Sequence, residues 1–288
     1  MMRFAAAAAI FLFATAASTT APQATPIIDP GARIALGGAP MQGGLVSGMA
    51  PAGTAELRLD GVPVRLAADG RFLLGFDRDH GASAILEAKL ADGRILALPI
   101  AISPRRWAVE RINLPQRPSA ATEQYLRLRA RELARIEAAR ALDLPAEGWR
   151  QQFIWPARGR ISGSFGSQRI YQGVPAAFHS GVDIAAGAGA PVVAPADGVV
   201  VLAGPPAFSL EGNLVIIDHG MGLNSAFLHL AATHVREGQT IRQGQAIGIV
   251  GKSGRATGPH LHWSVKWNSA RLDPARLAGP RAGHTVRP

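Results

Sequence analysis

TGPHLHWSV, residues 257–265, places two histidines on either side of a single leucine. On an extended strand, side chains two residues apart share a face, so His260 and His262 point together while Leu261 packs opposite. Gly258-Pro259 shapes the approach to that strand. Around it the chain keeps one texture: VVAPADGVVVLAG (192–204), GNLVIIDHG (212–220), GQAIGIVG (244–251) and HLHWSVKW (260–267) are apolar runs cut by glycine turns. Helical periodicity is almost absent, so residues 153–277 read as a mainly antiparallel β-domain. The run 192–201, interrupted by Asp197-Gly198, predicts a hairpin within it.

Toward the N-terminus the texture is also β, but of another kind. Leu57 and Leu59 alternate, Asp60-Gly61 turns, and Val62, Val64 and Leu66 alternate again. Asp69-Gly70 and Asp92-Gly93 repeat the turn, and Asp-Gly between alternating runs is a strong hairpin signal. Residues 27–112 therefore read as a small β-sandwich, in which the lone His80 sits in a polar, solvated turn. Between the two β-regions, residues 119–143 hold good helix formers, with Leu126, Leu133 and Ile136 on one stripe and arginines elsewhere. That pattern predicts an Arg-rich connecting helix; the sharper reading is a basic strap that touches substrate or a partner. The fold class is thus mainly β: a small N-terminal sandwich, a connecting α-helix, a C-terminal antiparallel β-domain, and a basic tail at 278–288.

At 288 residues, 48% hydrophobic and 17% charged, the chain is long enough for two cored domains and too apolar for disorder. Arg3, the apolar run 4–13 and Ala14-Thr15-Ala16 read as a signal peptide over residues 1–16. The run is short for a bilayer, which needs about 20 residues, so no span is expected after cleavage. With no cysteine, packing or metal must hold the exported fold. The formal charge of +10 comes from 27 arginines and three lysines, with 18 basic against 14 acidic groups in residues 1–150 and 12 against 6 beyond. Such a surface favours polyanions. Behind an export signal, the partner expected is an anionic cell envelope rather than nucleic acid.

Six of the eight histidines lie between residues 179 and 262. His179 and Asp183 also share a face if their segment is extended, with Gly181 letting the backbone adjust between them. Two histidines and one carboxylate make a sufficient catalytic zinc set, with the fourth position left open. Taken singly, each motif also fits a structural role; together, in one cysteine-free β-domain, they point to metal chemistry.

The flanking residues sharpen this. SGSFGSQR (162–169), FHSGVDIAA (178–186), PVVAPADGVVVLAG (191–204), GNLVIIDHGMGLNSAFLHL (212–230), VREGQTIRQGQAIGIVGKSGRATGPHLHW (235–263) and Asp273-Pro274 resemble the zinc peptidases of the lysostaphin and LytM type, family M23. The resemblance covers most of residues 158–277 and leaves the N-terminal β-region aside. It implies one zinc ion bound by His179, Asp183 and His262, with His260 and His229 as the catalytic histidines. It further implies an endopeptidase acting on peptidoglycan stem peptides or cross-links, in the periplasm or cell envelope of a bacterium. Residues 151–288 hold only Glu211 and Glu237, neither beside an implied ligand. A histidine, with an ordinary pKa of about 6.5, is therefore the expected general base for zinc-activated water. Which of His260 and His229 is that base stays open at this level.

Two positions depart from the family's usual pattern: Phe227 stands where tyrosine is frequent, and Trp263-Ser264 where Phe-Glu is. Both bear on substrate preference. His219 is expected to be a structural hydrogen-bonding residue, and neither His234 nor His284 matches a functional position. The competing reading is a non-catalytic LytM-like regulator that activates another wall hydrolase, meeting an envelope protein through the N-terminal β-domain or the helix. The bond first expected to be cut is a D-alanyl–diaminopimelate cross-link, with a glycine-rich bridge second.

Overall fold

The computed structural model describes residues 33–115 and 122–281. The signal-peptide reading, the first residues of the sandwich and of the helix, and the tail from 282 with His284 lie outside the described residues. Eight strands come first: β1 (Ala35–Gly37), β2 (Leu45–Met49), β3 (Thr54–Leu59), β4 (Val62–Val64), β5 (Arg71–Gly75), β6 (Ser83–Leu90), β7 (Ile95–Ala101) and β8 (Val109–Ile112). Seven of them form two antiparallel sheets, ordered β1-β2-β5 and β4-β3-β6-β7. The alternation in β6 buries Ala84, Leu86, Ala88 and Leu90 on one face, as a half-buried strand requires. The Asp60-Gly61 turn joins β3 to β4 with φ of 49° and 78°, the left-handed pair that a two-residue hairpin needs.

After α1 (Glu123–Arg140) follow β9 (Arg160–Gly163), β10 (Gln168–Tyr171), β11 (Val174–Pro175), β12 (Val182–Ala185), β13 (Pro191–Val193) and β14 (Gly198–Leu202). Then come β15 (Asn213–Asp218), β16 (Leu223–Thr233), β17 (Thr240–Ile241), β18 (Ala246–Val250), β19 (Leu261–Trp267), β20 (Ala270–Leu272) and the short α2 (Pro274–Ala278). The main sheet runs β17-β14-β15-β16-β19-β12-β9, with β13, β18 and β20 attached to its strands. The expected hairpin at Asp197-Gly198 is absent. Strand β13 pairs with β18, while β14 pairs with β15 and β17. Asp197 is instead held from elsewhere, its carboxylate accepting from the Gln243 N–H at 2.7 Å and its carbonyl from the His219 ring at 2.7 Å.

Strand β15 is buried on both faces. Val215 and Ile217 join the main core, while Leu214 and Ile216 face a second cluster that includes Ala139 and Ile136 of α1. The helix is therefore docked on the sheet, and its apolar stripe differs from the expected one. Ile136 packs, but Leu126 and Leu133 are 56% and 43% exposed.

The N-terminal strands are not a separate bead. The main core cluster runs without a break from Val46 to Leu272. Ion pairs cross the same boundary, Arg105 to Asp273 at 2.8 Å and Arg271 to Asp77 at 3.0 Å. Strand β8 continues this union by pairing in parallel with β10, which carries β11 on its other edge. That small sheet borders the groove described next.

Candidate active site

Strands β12 and β19 lie side by side, with Asp183 directly opposite His262 in the register. Leu261, Trp263 and Val265 are wholly buried, so the alternation turns His262 to the other face. His179 comes from the loop before β12 rather than from a strand. Its backbone is fixed by bonds from its N–H to Ser167 and from the Gly166 N–H to its carbonyl, both 2.8 Å. The loop then bends at Gly181, where a Cβ would sit 2.7 Å from His262 Nε2. Only glycine lets the backbone pass so close to that ring.

Three donor atoms converge here. His179 Nε2 lies 3.1 Å from Asp183 Oδ1 and 3.1 Å from His262 Nδ1, and the latter two atoms are 2.9 Å apart. His179 Nδ1 is 3.0 Å from the Ser164 carbonyl, which can only accept, so Nδ1 carries the hydrogen. In the neutral ring Nε2 then presents a lone pair to a carboxylate oxygen and another imidazole nitrogen. Such a cluster asks for a cation between its members. Tetrahedral zinc with bonds of roughly 2.0–2.1 Å needs ligand atoms about 3.3 Å apart, close to the separations found. The donor chemistry therefore fits zinc. Among the described residues this is the one group of three or more His, Asp or Glu side chains so arranged.

The electrostatics reflect the same crowding of donor atoms. Burial alone pushes the Asp183 carboxyl up, yet hydrogen bonds and charge from His179 and His262 hold it well below the usual carboxylate range. Burial pushes His179 down, and its bond to Asp183 outweighs this, leaving it above the ordinary histidine value. Burial holds His262 below it.

Two further histidines flank the triangle. His260 Nε2 stands 3.8 Å from Asp183 Oδ1, while its Nδ1 is 2.8 Å from the Gly258 carbonyl. His229 lies on β16, where the pairings Val215–Phe227 and Asn213–Leu230 leave one extra residue on the β16 side. At this bulge His229 takes φ of 63°, rare for a residue with a side chain. Its Nδ1 is 2.9 Å from the Ser253 carbonyl, and its ring centroid is 4.9 Å from that of His260. Burial, reinforced by the neighbouring histidines, keeps its pKa below the ordinary value. Both rings thus hold their Nδ1 hydrogens on carbonyls and keep an Nε2 lone pair.

His219 and His80 stand apart from this cluster. His219 is fully buried, bonded to the Asp197 carbonyl and, at 2.9 Å, to Ser225 Oγ. His80 packs edge-on against Phe76 in the sandwich, half-buried, with its Nδ1 3.1 Å from the Gly81 carbonyl. Phe227 and Trp263 are completely buried and pair across β16 and β19, so neither departure reaches a substrate. The carbonyls that orient the rings, at Ser164, Ser253 and Gly258, were invisible in the sequence because a backbone acceptor has no residue signature. A groove of about 930 Å³ runs past His179 and Asp183, with Ser162, Arg169, Tyr171 and Arg255 among its lining.

Comparison with known proteins adds the lineage. The profile of peptidase family M23 matches residues 177–274. A crystal structure from Pseudomonas aeruginosa, described as belonging to the M23 peptidases, aligns over 84% of this chain and 96% of its own, at 30% identity and a TM-score of 0.65. The chain belongs to peptidase family M23. Its mainly β architecture is shared with that M23 structure over 84% of this chain. The DD-carboxypeptidase/endopeptidase Mpg of Neisseria meningitidis is 42% identical over 103 residues, covering 36% of this chain and 23% of that protein. The peptidoglycan DD-endopeptidase ShyA of Vibrio cholerae is 38% identical over 116 residues, covering 40% and 26%. The chain thus spans about a quarter of the length of these relatives. All five histidine and aspartate positions of the site fall inside the matched M23 segment.

Proposed function

We propose that this chain is a zinc-dependent endopeptidase that hydrolyses peptide bonds in peptidoglycan, working in a bacterial envelope after export. The observation that carries the reading is the triangle of His179 Nε2, Asp183 Oδ1 and His262 Nδ1, with sides of 2.9–3.1 Å and lone pairs facing inward. These three residues would hold the metal. Zinc bound there supplies Lewis acidity, polarising a carbonyl and making water acidic near neutrality. The relative ShyA, named a peptidoglycan DD-endopeptidase, supports the substrate class, and the D-alanyl–diaminopimelate link remains the bond expected. In the same proposal residues 27–112 are an accessory β-domain, 119–143 a connecting helix and 153–277 the peptidase domain.

The chain's own groups have distinct tasks. The substrate peptide lies in the groove beside His179 and Asp183. His260 Nε2, with its Nδ1 hydrogen fixed on the Gly258 carbonyl, takes the proton of the attacking water and returns it to the leaving amine nitrogen. His229 is neutral near pH 7, and its Nδ1 hydrogen is committed to Ser253. Its Nε2 therefore accepts from the water and orients it; it could donate to a developing oxyanion only after gaining a proton. That makes His260 the base and His229 the orienting partner.

Purified sacculi provide the test. A chelator should abolish release of soluble peptides, and added zinc should restore it. Chelator-resistant release would sink the metal assignment. Stoichiometric zinc binding with no fragment released from any sacculus would instead favour a regulator of another hydrolase. Neither the described helices nor their lengths provide a membrane crossing, since none is long and apolar enough.

A further inference from the structure

The strained backbone of His229 has an identifiable support. Its N–H donates to the Glu211 carbonyl at 2.8 Å, which fixes the bulge on β16. Glu211 belongs to the loop between β14 and β15, and α1 grips that loop at Phe208, Ser209 and Glu211. Arg129 takes the Glu211 carboxylate in a two-pronged pair at 2.5 and 2.6 Å. It also bonds Glu132 at 2.9 Å, and Glu132 accepts from both the N–H and the hydroxyl of Ser209 at 2.6 Å. Arg135 stacks over Phe208, 5.3 Å from its ring centre. The side chains of Arg129, Glu132 and Glu211 are 10–16% exposed, so these are enclosed charges with defined partners.

The same loop also reaches the second tether of His229. The Leu210 carbonyl accepts from the Arg255 N–H at 2.9 Å, and the Asn213 N–H donates to Ser253 Oγ at 2.9 Å. Ser253 is the residue whose carbonyl holds the His229 ring. Loop 208–213 therefore controls both the backbone and the ring of this histidine, and α1 controls the loop.

We propose that α1 is a brace for the active site, with Arg129 and Glu132 as positioning residues that hold His229 through the 208–213 loop. The inference rests on the reading of His229 as an active-site histidine. The helix does not touch substrate; it sets where one catalytic ring stands. A misplaced orienting group loses rate far more than it loses binding, because binding relies on the groove.

The test uses the full zinc-loaded chain and a soluble cross-linked muropeptide. Arg129→Gln should lower kcat roughly ten- to hundredfold with KM changed less than about twofold. Arg129→Lys, which keeps the charge but not the fork, should fall between it and wild type. Arg127→Ala, on the exposed side of the same helix and paired with Glu123, should match wild type. Zinc content should stay stoichiometric throughout, because the triangle lies on β12, β19 and the preceding loop. Should Arg129→Gln fail to fold, Ser209→Ala removes one bond of the brace and should give a smaller kcat loss. A folded, zinc-loaded Arg129→Gln with wild-type kcat would overturn the brace. Its second readout needs no turnover: the backbone amide and ring resonances of His229 should move in Arg129→Gln while those of His219 stay. Unmoved His229 resonances also overturn it, whereas a wild type that binds zinc without cutting muropeptides overturns the peptidase reading instead.

Discussion

At the scale of single residues, the two histidines of TGPHLHWSV differ in what their second ring nitrogen and their neighbours allow. His262 points Nδ1 into the triangle, 2.9 Å from Asp183. His260 stands farther out, 3.8 Å away, with its other nitrogen tied to a carbonyl. His262→Ala should therefore abolish stoichiometric zinc binding, while His260→Ala should keep the metal and lose turnover. Metal content and muropeptide release measured on the same preparations check both, and normal turnover in His260→Ala would remove its role as base. The parity that aligns these two side chains was readable in nine residues, because a strand repeats every two. His179 was readable only as a spacing; it lies in a loop, and its convergence on Asp183 depends on the bend at Gly181. His229 was reached through the family resemblance of residues 212–230 alone, not through periodicity or spacing. Its position depends on a bulge defined by pairing with β15, which no stretch of β16 can reveal alone.

Among elements, α1 shows where hydrophobic periodicity misleads. Its covered face is built from Arg129, Glu132, Ile136, Ala139 and Arg140, a stripe at helical spacing that is mostly charged. Arg140 reaches Asn224 at 2.6 Å in the same way that Arg129 reaches Glu211. The partners lie about 80 residues away, so the sequence of the helix alone gave no reason to turn its arginines inward. Leu126→Gln and Leu133→Gln should each change the unfolding free energy by less than about 0.5 kcal/mol. Glu132→Ala should cost about 2–4 kcal/mol, because Arg129 and Ser209 both lose a partner in an enclosed place. Urea denaturation of the full chain distinguishes these, and a greater loss at Leu133 than at Glu132 would show that the covered face is misassigned. The strands were far more legible than the helix contacts. Asp60-Gly61 set its hairpin through local backbone conformation, but Asp197-Gly198 did not, since long-range bonds from Gln243 and His219 governed it.

Over the whole molecule, acid should loosen the fold through His219. Burial lowers its pKa to about 4, against an unfolded value near 6.5, so the native state keeps it neutral. The unfolded chain binds the proton first as pH falls. Stability supplied by the neutral ring is thus complete above about 6.5 and declines by up to about 3 kcal/mol as pH drops toward 4. In His219→Gln the dependence of unfolding free energy on pH should be flatter across that window; an unchanged slope would mean the ring is not kept neutral. Two β-regions and a linking helix were legible as textures along the chain, whereas their union was not, since Gly75 against Trp267 and Arg105 against Asp273 are meetings of distant residues. That union has a practical side for anyone wishing to make a minimal fragment. A cut placed ahead of residue 153 would keep every residue of the zinc triangle, yet strip the cover from Trp267 and Leu272 and leave Leu214 and Ile216 wet on the reverse of the sheet. Trimming at those boundaries should therefore give a less soluble product than the full chain, and comparing the two yields in solution checks this.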